Sequence, residues 1–380
     1  MGEGAEVHAV MIDAMLRFII ALALAAPLAL AAQTYRSEKE SFRVVKLVER
    51  LDHPWSLAFL PDGNMLVTER GGHLYLIDQK RERAEVSGVP EVYASGQGGL
   101  HEIALHPRYS ENHLVYLSYA ARGDGGASTE LARARLNGTR LEDLRVIFRQ
   151  QPKTSGSIHF GGRIVFDRAG FLYLTLGERG QMERAQRPDN HHGSVIRLHD
   201  DGRVPADNPY VGKSPWRPEK LDLGHRNQQG AALHPQTGLL WTHEHGPQGG
   251  DEINIIRPGT NYGWPVITYG VNYGTGTKIG EGTAKPGMAQ PIYYWVPSIA
   301  PSGMAFYTAD RFPRWKGNLF VGALRAELVR LELDGEKVVK EERLLKGVLG
   351  RIRDVRQGPD GFIYLLTDEG NGVLARLEPQ

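Results

Sequence analysis

The sequence predicts an all-β fold, a six-bladed β-propeller of four-stranded antiparallel blades in which an N-terminal strand completes the last blade. The first observation is a unit of apolar strands joined by glycine-containing turns, which recurs six times along the chain. The second is that the last unit lacks a fourth strand before the chain ends at Gln380, while an unassigned strand, 42–51, precedes the first unit. Pairing that strand with the last unit closes the ring and removes its free edges.

The six units follow one another, and each opens with two apolar strands joined by a tight turn. Their opening segments are 55–78, 101–120, 162–178, 230–244, 302–324 and 352–369. The third strands of the later units are predicted at 130–136, 194–202, 251–259, 327–335 and 372–379. Fourth strands are predicted at 91–95, 145–149, 291–295 and 343–347. Glycine at the first turns, as at Gly63 and Gly361, suits the positive φ of tight hairpins.

Composition excludes several kinds of site. The 380 residues carry a formal net charge of +1, which gives no signal for a nucleic-acid partner. The absence of cysteine rules out thiolate metal sites, cysteine nucleophiles and disulfides. We expect residues 42–380 to form a single catalytic domain with no stable membrane span. Capped propeller edges are compatible with a monomer or a weak dimer.

The N-terminal residues 1–32 have the pattern of an export signal. Arg17 precedes the apolar run 18–32, and Ala29 and Ala31 match a small-residue cleavage site. Met15 is a plausible true start, which would make the preceding residues upstream sequence. A membrane anchor is the alternative, but the apolar run is short for a span. The pattern predicts a cleaved signal peptide and a periplasmic or secreted protein.

The repeat also predicts where a site can form. In an up-and-down blade, the connection from the outermost strand to the next innermost strand lies on the same face as the loop between the second and third strands. We call this face the mouth face, because loops on a rigid scaffold commonly carry binding sites. The residues that the repeat places there are Gln97, His159, Arg226, Asn227, Ser298, Arg325, Arg351, Arg353 and the loop 244–250.

Several of these side chains suit redox or acid–base chemistry on an anionic ligand. The imidazole of His159 is a natural base near neutral pH, although a histidine that merely lines the channel is the alternative. Guanidinium groups bind carboxylates in a bidentate manner, and a single arginine is usually only a surface charge. Three arginines converging on one mouth, Arg226, Arg351 and Arg353, instead indicate an anionic ligand.

Six motifs, taken together and in this order, resemble those of the soluble sugar dehydrogenases that depend on pyrroloquinoline quinone (PQQ). They are GQGGL (96–100), IHFGGRIVFD (158–167), GHRNQQG (224–230), EHGPQGGDEIN (244–254), NYGW (261–264) and RIRDV (351–355). The resemblance is strongest to the bacterial aldose sugar dehydrogenase branch, which is related to soluble quinoprotein glucose dehydrogenase. It extends from about Val45 to the C-terminus and implies a six-bladed propeller that uses PQQ and calcium.

The resemblance implies a reaction and roles for individual residues. Aldose sugars would be oxidised at C1 to aldonolactones, with His159 as the general base and hydride passing to the quinone. Arg226 would stabilise negative charge on the quinone oxygen. Electrons would then leave to an external acceptor, which could be a quinone, a cytochrome or a dye. The implied cofactor contacts are Gln97, Arg226, Asn227, Tyr273, Arg325, Arg351 and Arg353. The implied substrate contacts are Gln97, Asp251 and Trp295.

The resemblance also implies two calcium sites built from oxygen ligands. The backbone carbonyls of Gly246 and Pro247 would bind the ion that holds PQQ. Glu252 and the carbonyl of Tyr262 would bind a second, structural ion. The alternative for Glu252 is a plain carboxylate at a strand edge, and the alternative for Tyr273 is a packed aromatic residue.

Two departures from the family pattern bear on specificity. The family usually has lysine where this chain has Arg325, which keeps the charge but changes the donor geometry. Ile158 stands where the glucose-specific relatives have an acidic residue, and this favours a broader range of aldoses.

Two other functions remain open from the sequence. A calcium-dependent lactonase-type hydrolase on the same fold would centre carboxylate and asparagine ligands on the channel axis. A non-catalytic propeller that binds a protein or a glycan would not need His159 and three arginines at one mouth.

Overall fold

Six antiparallel sheets form the blades of a β-propeller in the computed structural model, which describes residues 33–380. The innermost strands of neighbouring blades pack against each other all the way around the axis. The predicted fold class is therefore confirmed. The predicted signal segment, residues 1–32, lies outside the described residues. None of the short helices between Gln33 and Gln380 has the length or apolar character of a transmembrane segment.

The first half of the described chain supplies two N-terminal strands and three blades. The N-terminal strands are β1 (Thr34–Arg36) and β2 (Ser41–Leu51). Blade 1 is β3 (Pro54–Phe59), β4 (Met65–Glu69), β5 (His73–Ile77) and β6 (Arg83–Glu85). Blade 2 is β7 (Leu100–Leu105), β8 (Leu114–Gly123), β9 (Gly126–Asn137) and β10 (Arg140–Arg149), with the helix α1 (Tyr109–Asn112) between its first two strands. Blade 3 is β11 (Gly161–Phe166), β12 (Leu172–Leu176) and β13 (Ser194–Leu198).

The second half supplies the remaining three blades. Blade 4 is β14 (Gln228–Leu233), β15 (Leu240–Glu244), β16 (Asp251–Ile255) and β17 (Tyr293–Trp295). Blade 5 is β18 (Pro301–Phe306), β19 (Leu319–Ala323), β20 (Glu327–Asp334) and β21 (Lys337–Leu344). Blade 6 begins with β22 (Ile352–Gln357), β23 (Ile363–Thr367) and β24 (Gly372–Pro379). Two short 3-10 helices lie at Met182–Gln186 and Pro313–Trp315.

The N-terminal strand closes the ring as predicted. Strand β2 pairs antiparallel with β24, with Phe42 opposite Pro379 and Val48 opposite Leu374. Strand β1 then pairs with β2 and makes blade 6 a five-stranded sheet. Phe42 is buried and meets the ring of Trp315 edge-on, with 5.4 Å between centroids. The closure therefore combines a backbone ladder with buried aromatic packing.

Two outer strands differ from the sequence-based expectation. The fourth strand of blade 1 is β6, and the prediction of a strand at 91–95 is wrong. That segment instead crosses to blade 2, where the backbone N–H of Tyr93 donates to the carbonyl of Ala120 at 2.7 Å. Blade 3 has three regular strands, and a single bridge between Ile196 and Lys220 stands where a fourth would pair. The other predicted outer strands overlap β10, β17 and β21.

An ion-pair network crosses the central channel between the innermost strands. The Nη1 atom of Arg163 lies 2.9 Å from a carboxylate oxygen of Glu102 and 2.9 Å from one of Asp354. Arg356 contacts the same two carboxylates, with 2.8 Å between its Nε and Asp354. The hydroxyl of Ser56 also donates to Glu102, at 2.7 Å. These side chains come from blades 1, 2, 3 and 6, so the network joins four blades across the axis.

We expect replacement of Arg163 by methionine to lower the free energy of unfolding by about 3–5 kcal/mol, because it leaves two buried carboxylates with only Arg356 as a counter-charge. The measurement is chemical denaturation followed by circular dichroism. The matched control is Arg187→Met, which removes the exposed ion pair with Asp189 and should cost no more than about 1 kcal/mol. Equal losses in both variants would contradict the structural role of the network.

Candidate active site

A cavity of about 100 Å³ opens on the mouth face, and all six blades contribute to its lining. We call it the mouth cavity. Its lining residues are Trp55, Arg70, Gln97, His101, Phe160, Gly161, Asn227, Gln229, His245, Leu324, Arg351, Arg353 and Asp368. Four residues predicted for the site, Gln97, Asn227, Arg351 and Arg353, therefore lie together although they span the sequence from blade 2 to blade 6.

The cavity is cationic, and its one lining carboxylate is engaged by arginine. Arg353 forms a close ion pair with Asp368, and its Nη1 donates to Oε1 of Gln229 at 3.2 Å. Arg351 reaches the same carboxylate at 3.5 Å. Although burial opposes ionisation, the Arg353 guanidinium holds the pKa of Asp368 well below its usual value. The aspartate is therefore ionised and fixes both arginines at the cavity wall.

His159 is held in one orientation beside this cavity. Its backbone N–H donates to Oε1 of Gln97 at 2.7 Å, and its Nδ1 lies 2.6 Å from Oε1 of Glu178. Burial lowers the pKa of His159, as does the nearby Arg226, while Glu178 opposes the shift. The ring is therefore neutral near neutral pH. Since a carboxylate can only accept, Nδ1 carries the proton in this network and Nε2 keeps its lone pair.

Glu178 is a site residue that the sequence reasoning missed. It follows β12 and is buried, and its backbone N–H donates to the carbonyl of Arg226 at 2.9 Å. An acidic residue after a strand is common, so nothing in its local pattern marks it. The register that pairs Gly161 with Leu176 does place His159 opposite Glu178, and extending that hairpin by two residues would have found the pair.

Arg226 and Asn227 immediately precede β14, the innermost strand of blade 4, and both are buried. The Nη1 of Arg226 donates to the carbonyl of His245 at 3.1 Å, and its guanidinium lies 5.4 Å from the ring centre of Trp264. The Oδ1 of Asn227 accepts from the backbone of Gly161 at 3.2 Å, which leaves its amide NH₂ group available as a donor to the cavity.

Asp251 does not line the mouth cavity, although the sequence predicted a contact there. The prediction was a substrate contact, but the carboxylate is fully buried and accepts four hydrogen bonds. Oδ1 accepts from the backbone of Gly246 at 3.0 Å. Oδ2 accepts from the Ser298 hydroxyl at 2.7 Å and from the backbones of Ile299 and Ala300 at 2.8 and 3.0 Å. Its lone pairs are used inside the fold, so Asp251 holds the 244–250 loop rather than a ligand.

The loop that Asp251 holds has free carbonyl groups. Within residues 33–380, no hydrogen bond ends on the carbonyl of Gly246 or Pro247. A Cβ on Gly246 would lie 2.2 Å from the carbonyl oxygen of Gly249, so only glycine fits this turn. Buried carbonyls that find no donor are suitable oxygen ligands for a hard cation such as calcium.

A second cavity, with a volume of only about 10 Å³, lies behind this loop. Its lining includes Glu252 on β16, which pairs across the sheet with Glu244 on β15. Burial raises the pKa of Glu252 to about 8, and the neighbouring Glu244 adds to the shift. The carbonyl of Tyr262, which also lines the cavity, accepts no hydrogen bond from residues 33–380. A cation bound here would offset the repulsion between the two carboxylates and would provide a partner for the free carbonyl.

No group of three or more histidine, aspartate or glutamate side chains is arranged for a metal within residues 33–380. Any cation at these two positions must therefore take much of its ligand set from backbone carbonyls or from a bound molecule. That requirement is compatible with calcium, which accepts six to eight oxygen ligands in flexible geometry.

Five predicted contacts lie outside the lining of the mouth cavity: Asp251, Arg226, which lines the smaller cavity, and the three described next. Trp295 is buried, its Nε1 donates to Glu341 at 2.6 Å, and its ring meets Tyr293 edge-on. This placement is at odds with the predicted substrate contact, because the indole packs between blades 4 and 5. Tyr273 is 66% exposed on a long loop that bridges to Gln248 near the mouth. Arg325 is exposed at the mouth-face turn of blade 5.

Comparisons with known proteins agree with the motifs and the fold. The family model for glucose/sorbosone dehydrogenases matches residues 51–376. The chain is 47% identical over 342 residues to aldose sugar dehydrogenase YliI of Escherichia coli (strain K12), covering 88% of this chain and 92% of that protein.

Solved structures give the same result. A crystal structure of a glucose dehydrogenase superposes with a TM-score of 0.87 at 51% identity, covering 89% of this chain and 99% of the other. The PQQ-bound aldose sugar dehydrogenase of Streptomyces coelicolor superposes with a TM-score of 0.72 at 29% identity, covering 89% and 98%. The resemblance seen in the motifs is confirmed, and the chain belongs to the glucose/sorbosone dehydrogenase family.

Proposed function

We propose that this protein oxidises aldose sugars at C1 to aldonolactones, using PQQ and calcium bound at the mouth face. The observation that carries the proposal is the neutral imidazole of His159, oriented by Glu178 beside a cavity lined by arginines. A base of this kind beside a cationic pocket suits removal of a hydroxyl proton next to an anionic redox cofactor. Membership of a sugar dehydrogenase family supports the same reaction class.

The lining of the mouth cavity fits PQQ, which carries three carboxylates and an orthoquinone. Arg351 and Arg353 offer guanidinium donors to carboxylates, and Gln97 and Asn227 offer neutral groups to oxygens. Arg226, Tyr273 and Arg325 complete the proposed set of contacts. When bound, PQQ would supply the redox chemistry by accepting two electrons and a proton as hydride. The PQQ-bound relative from Streptomyces coelicolor supports this assignment.

Calcium fits two positions on the same face. The carbonyls of Gly246 and Pro247 would hold the ion next to the cofactor, where a divalent cation acts as a Lewis acid. Glu252 and the carbonyl of Tyr262 would hold the second ion in the smaller cavity. The first position supplies few protein ligands, so we expect calcium and PQQ to bind there cooperatively.

The chain's own residues then account for proton transfer and charge stabilisation. The lone pair on Nε2 of His159 accepts the proton of the C1 hydroxyl, while Nδ1–H stays bonded to Glu178. The carboxylate of Glu178 stabilises the imidazolium that forms and prevents the ring from turning. The guanidinium of Arg226, nearly buried beside Trp264, stabilises negative charge that develops opposite the sugar.

The electron acceptor and the compartment are extensions of this proposal. We propose that electrons leave to an external acceptor, a quinone, a cytochrome or a dye, and that the protein works in the periplasm or is secreted. The export pattern of residues 1–32 supports the location. A lactonase-type hydrolase is disfavoured because the mouth cavity is lined by arginines rather than by carboxylate ligands.

The proposed function is tested by reconstituting the purified protein with PQQ and calcium, then supplying glucose and xylose with a redox dye. We expect the dye to bleach with both sugars, because Ile158 leaves the site without the acidic neighbour tied to glucose specificity. Lactone or ester hydrolysis without PQQ would support the hydrolase instead. Absence of dye reduction with every aldose tested would eliminate the dehydrogenase.

Replacing His159 by glutamine should lower kcat by about 10²–10⁴-fold, because the base is lost while the shape of the side chain is roughly kept. PQQ binding, followed by fluorescence titration, should stay near that of the unaltered protein. The comparison variant is His113→Gln, which changes an imidazole on the opposite face of the propeller. Weakened PQQ binding with normal turnover per bound PQQ would contradict the base assignment.

Replacing Glu178 by glutamine should lower kcat about 10–100-fold and move the acidic limb of the rate profile to lower pH. The sign follows from the pKa of His159, which Glu178 raises, so removing the carboxylate lowers that pKa further. The imidazole then stays neutral to lower pH, but the imidazolium formed during reaction loses its counter-charge. A kcat/KM profile against pH measures both effects, and an unmoved acidic limb would exclude direct coupling.

Calcium added without PQQ should raise the melting temperature of the metal-free protein through the Glu252 position. At about 100 times its dissociation constant, a ligand adds about 2.7 kcal/mol of stability. Most of that gain should disappear in Glu252→Gln and remain in Glu336→Gln, which alters an exposed carboxylate. The measurement is differential scanning fluorimetry with and without EGTA, and an equal calcium response in both variants would exclude this position.

A further inference from the structure

Arg70 is a cavity-lining residue to which the family motifs gave no role. It lies in the mouth-face turn between β4 and β5 of blade 1, and its side chain lines the mouth cavity with Arg351, Arg353 and Asn227. The repeat phase places this turn on the mouth face, but nothing in the local sequence predicts that Arg70 faces a cavity. Its position in the cavity is therefore a finding of the tertiary structure.

The backbone of Arg70 is fixed between two blades. Its N–H donates to the carbonyl of His53 at 3.1 Å, and its carbonyl accepts from the backbone of Leu100 at 3.1 Å. A Cβ added to Gly99 would lie 2.0 Å from the Arg70 carbonyl oxygen, so the neighbouring strand approaches this turn as closely as a glycine allows. The base of the side chain is thus positioned by rigid packing on both sides.

The guanidinium of Arg70 is the cavity cation without a partner. Arg351 and Arg353 share the carboxylate of Asp368, whereas within residues 33–380 the side chain of Arg70 makes no hydrogen bond and no ion pair. Arg70 lies near enough to Asp368 for its charge to favour ionisation of that carboxylate. A guanidinium that is half-buried and faces a cavity gains most from an anion bound there.

The charges of the lining favour such an anion. Three arginines, Arg70, Arg351 and Arg353, face one ionised carboxylate, Asp368, and the difference of three minus one leaves two uncompensated positive charges. His101, which also lines the cavity, adds no charge because burial lowers its pKa to about 3. A ligand with at least two carboxylates would balance this lining.

We propose that Arg70 binds a carboxylate of the cofactor directly and so selects for a polyanionic ligand. This inference rests on the proposed function, since it takes PQQ as the ligand of the mouth cavity. Arg351 and Arg353 both form ion pairs with Asp368, whereas all the guanidinium N–H donors of Arg70 are available to the ligand. Its contribution is to affinity and charge selectivity rather than to proton transfer.

The test is a fluorescence titration of the calcium-loaded protein with PQQ and, separately, with PQQ trimethyl ester, which lacks the carboxylate charges. Arg70→Gln should raise the Kd for PQQ about tenfold, the usual effect of losing one charged hydrogen-bonded contact. The Kd for the triester should stay within about twofold, and the salt dependence of PQQ binding should become shallower. The control, Arg122→Gln, removes an exposed arginine on the same face outside the cavity and should change neither Kd.

The outcomes separate this inference from the proposed function. If the unaltered protein binds PQQ tightly and Arg70→Gln binds it equally well, the role of Arg70 is overturned and the proposed function stands. If the unaltered protein does not bind PQQ, the proposed function fails and the inference fails with it. Equal weakening for PQQ and the triester would mean a packing role and would also overturn it. If Arg70→Gln fails to fold, Arg70→Lys replaces it in the test. Its Kd for PQQ should rise about threefold, because lysine keeps the charge but cannot donate two parallel hydrogen bonds to a carboxylate.

Discussion

The ion-pair network at the centre of the propeller is the constraint on which the rest of the structure depends. Arg163 lies within 2.9 Å of carboxylates from two other blades, and Arg356 contacts the same pair. Because these charges are buried, they must satisfy each other, and the innermost strands can therefore meet in only one register. That register therefore sets the positions of the mouth-face loops that follow or precede those strands. The residues of a site assembled from all six blades keep fixed relative positions only if the blades themselves are held in place.

Above this network the protein separates carboxylates that hold the fold from cations that face the cavity. Asp251 accepts one hydrogen bond from Gly246 and three from residues 298–300, all inside the fold. Asp368 forms ion pairs with Arg351 and Arg353. Glu178 is committed to the imidazole of His159. The side chains of the mouth cavity that remain available to a ligand are therefore positive or neutral. This division explains how a chain with a net charge of only +1 presents a strongly cationic pocket.

Glu244 lines the smaller cavity and holds the backbone of Arg226. Its carboxylate accepts from the backbone of Arg226 and from Nδ1 of His225, the latter at 2.6 Å. Despite complete burial, the carboxylates of Glu244 and Asp222 raise the pKa of His225 to about 10, so the ring is an imidazolium. A cation beside Glu252 would thus act on the same carboxylate that holds the Arg226 backbone. The proposed structural ion and Arg226 would be connected through one side chain.

The sequence by itself determined the propeller, its closing strand and the face on which a site forms, because strand periodicity and the phase of the repeat are local properties. It placed Gln97, Asn227, Arg351 and Arg353 on one mouth for the same reason. Only the tertiary structure decided which side chains face the cavity and which make their contacts with other residues inside the fold. Asp251 and Trp295 turn to buried partners, while Glu178 and Arg70 reach the site through contacts between strands and between blades. The contacts of Arg70 join residues distant in sequence, and no local pattern records them, whereas the position of Glu178 follows from the register of the β11–β12 hairpin.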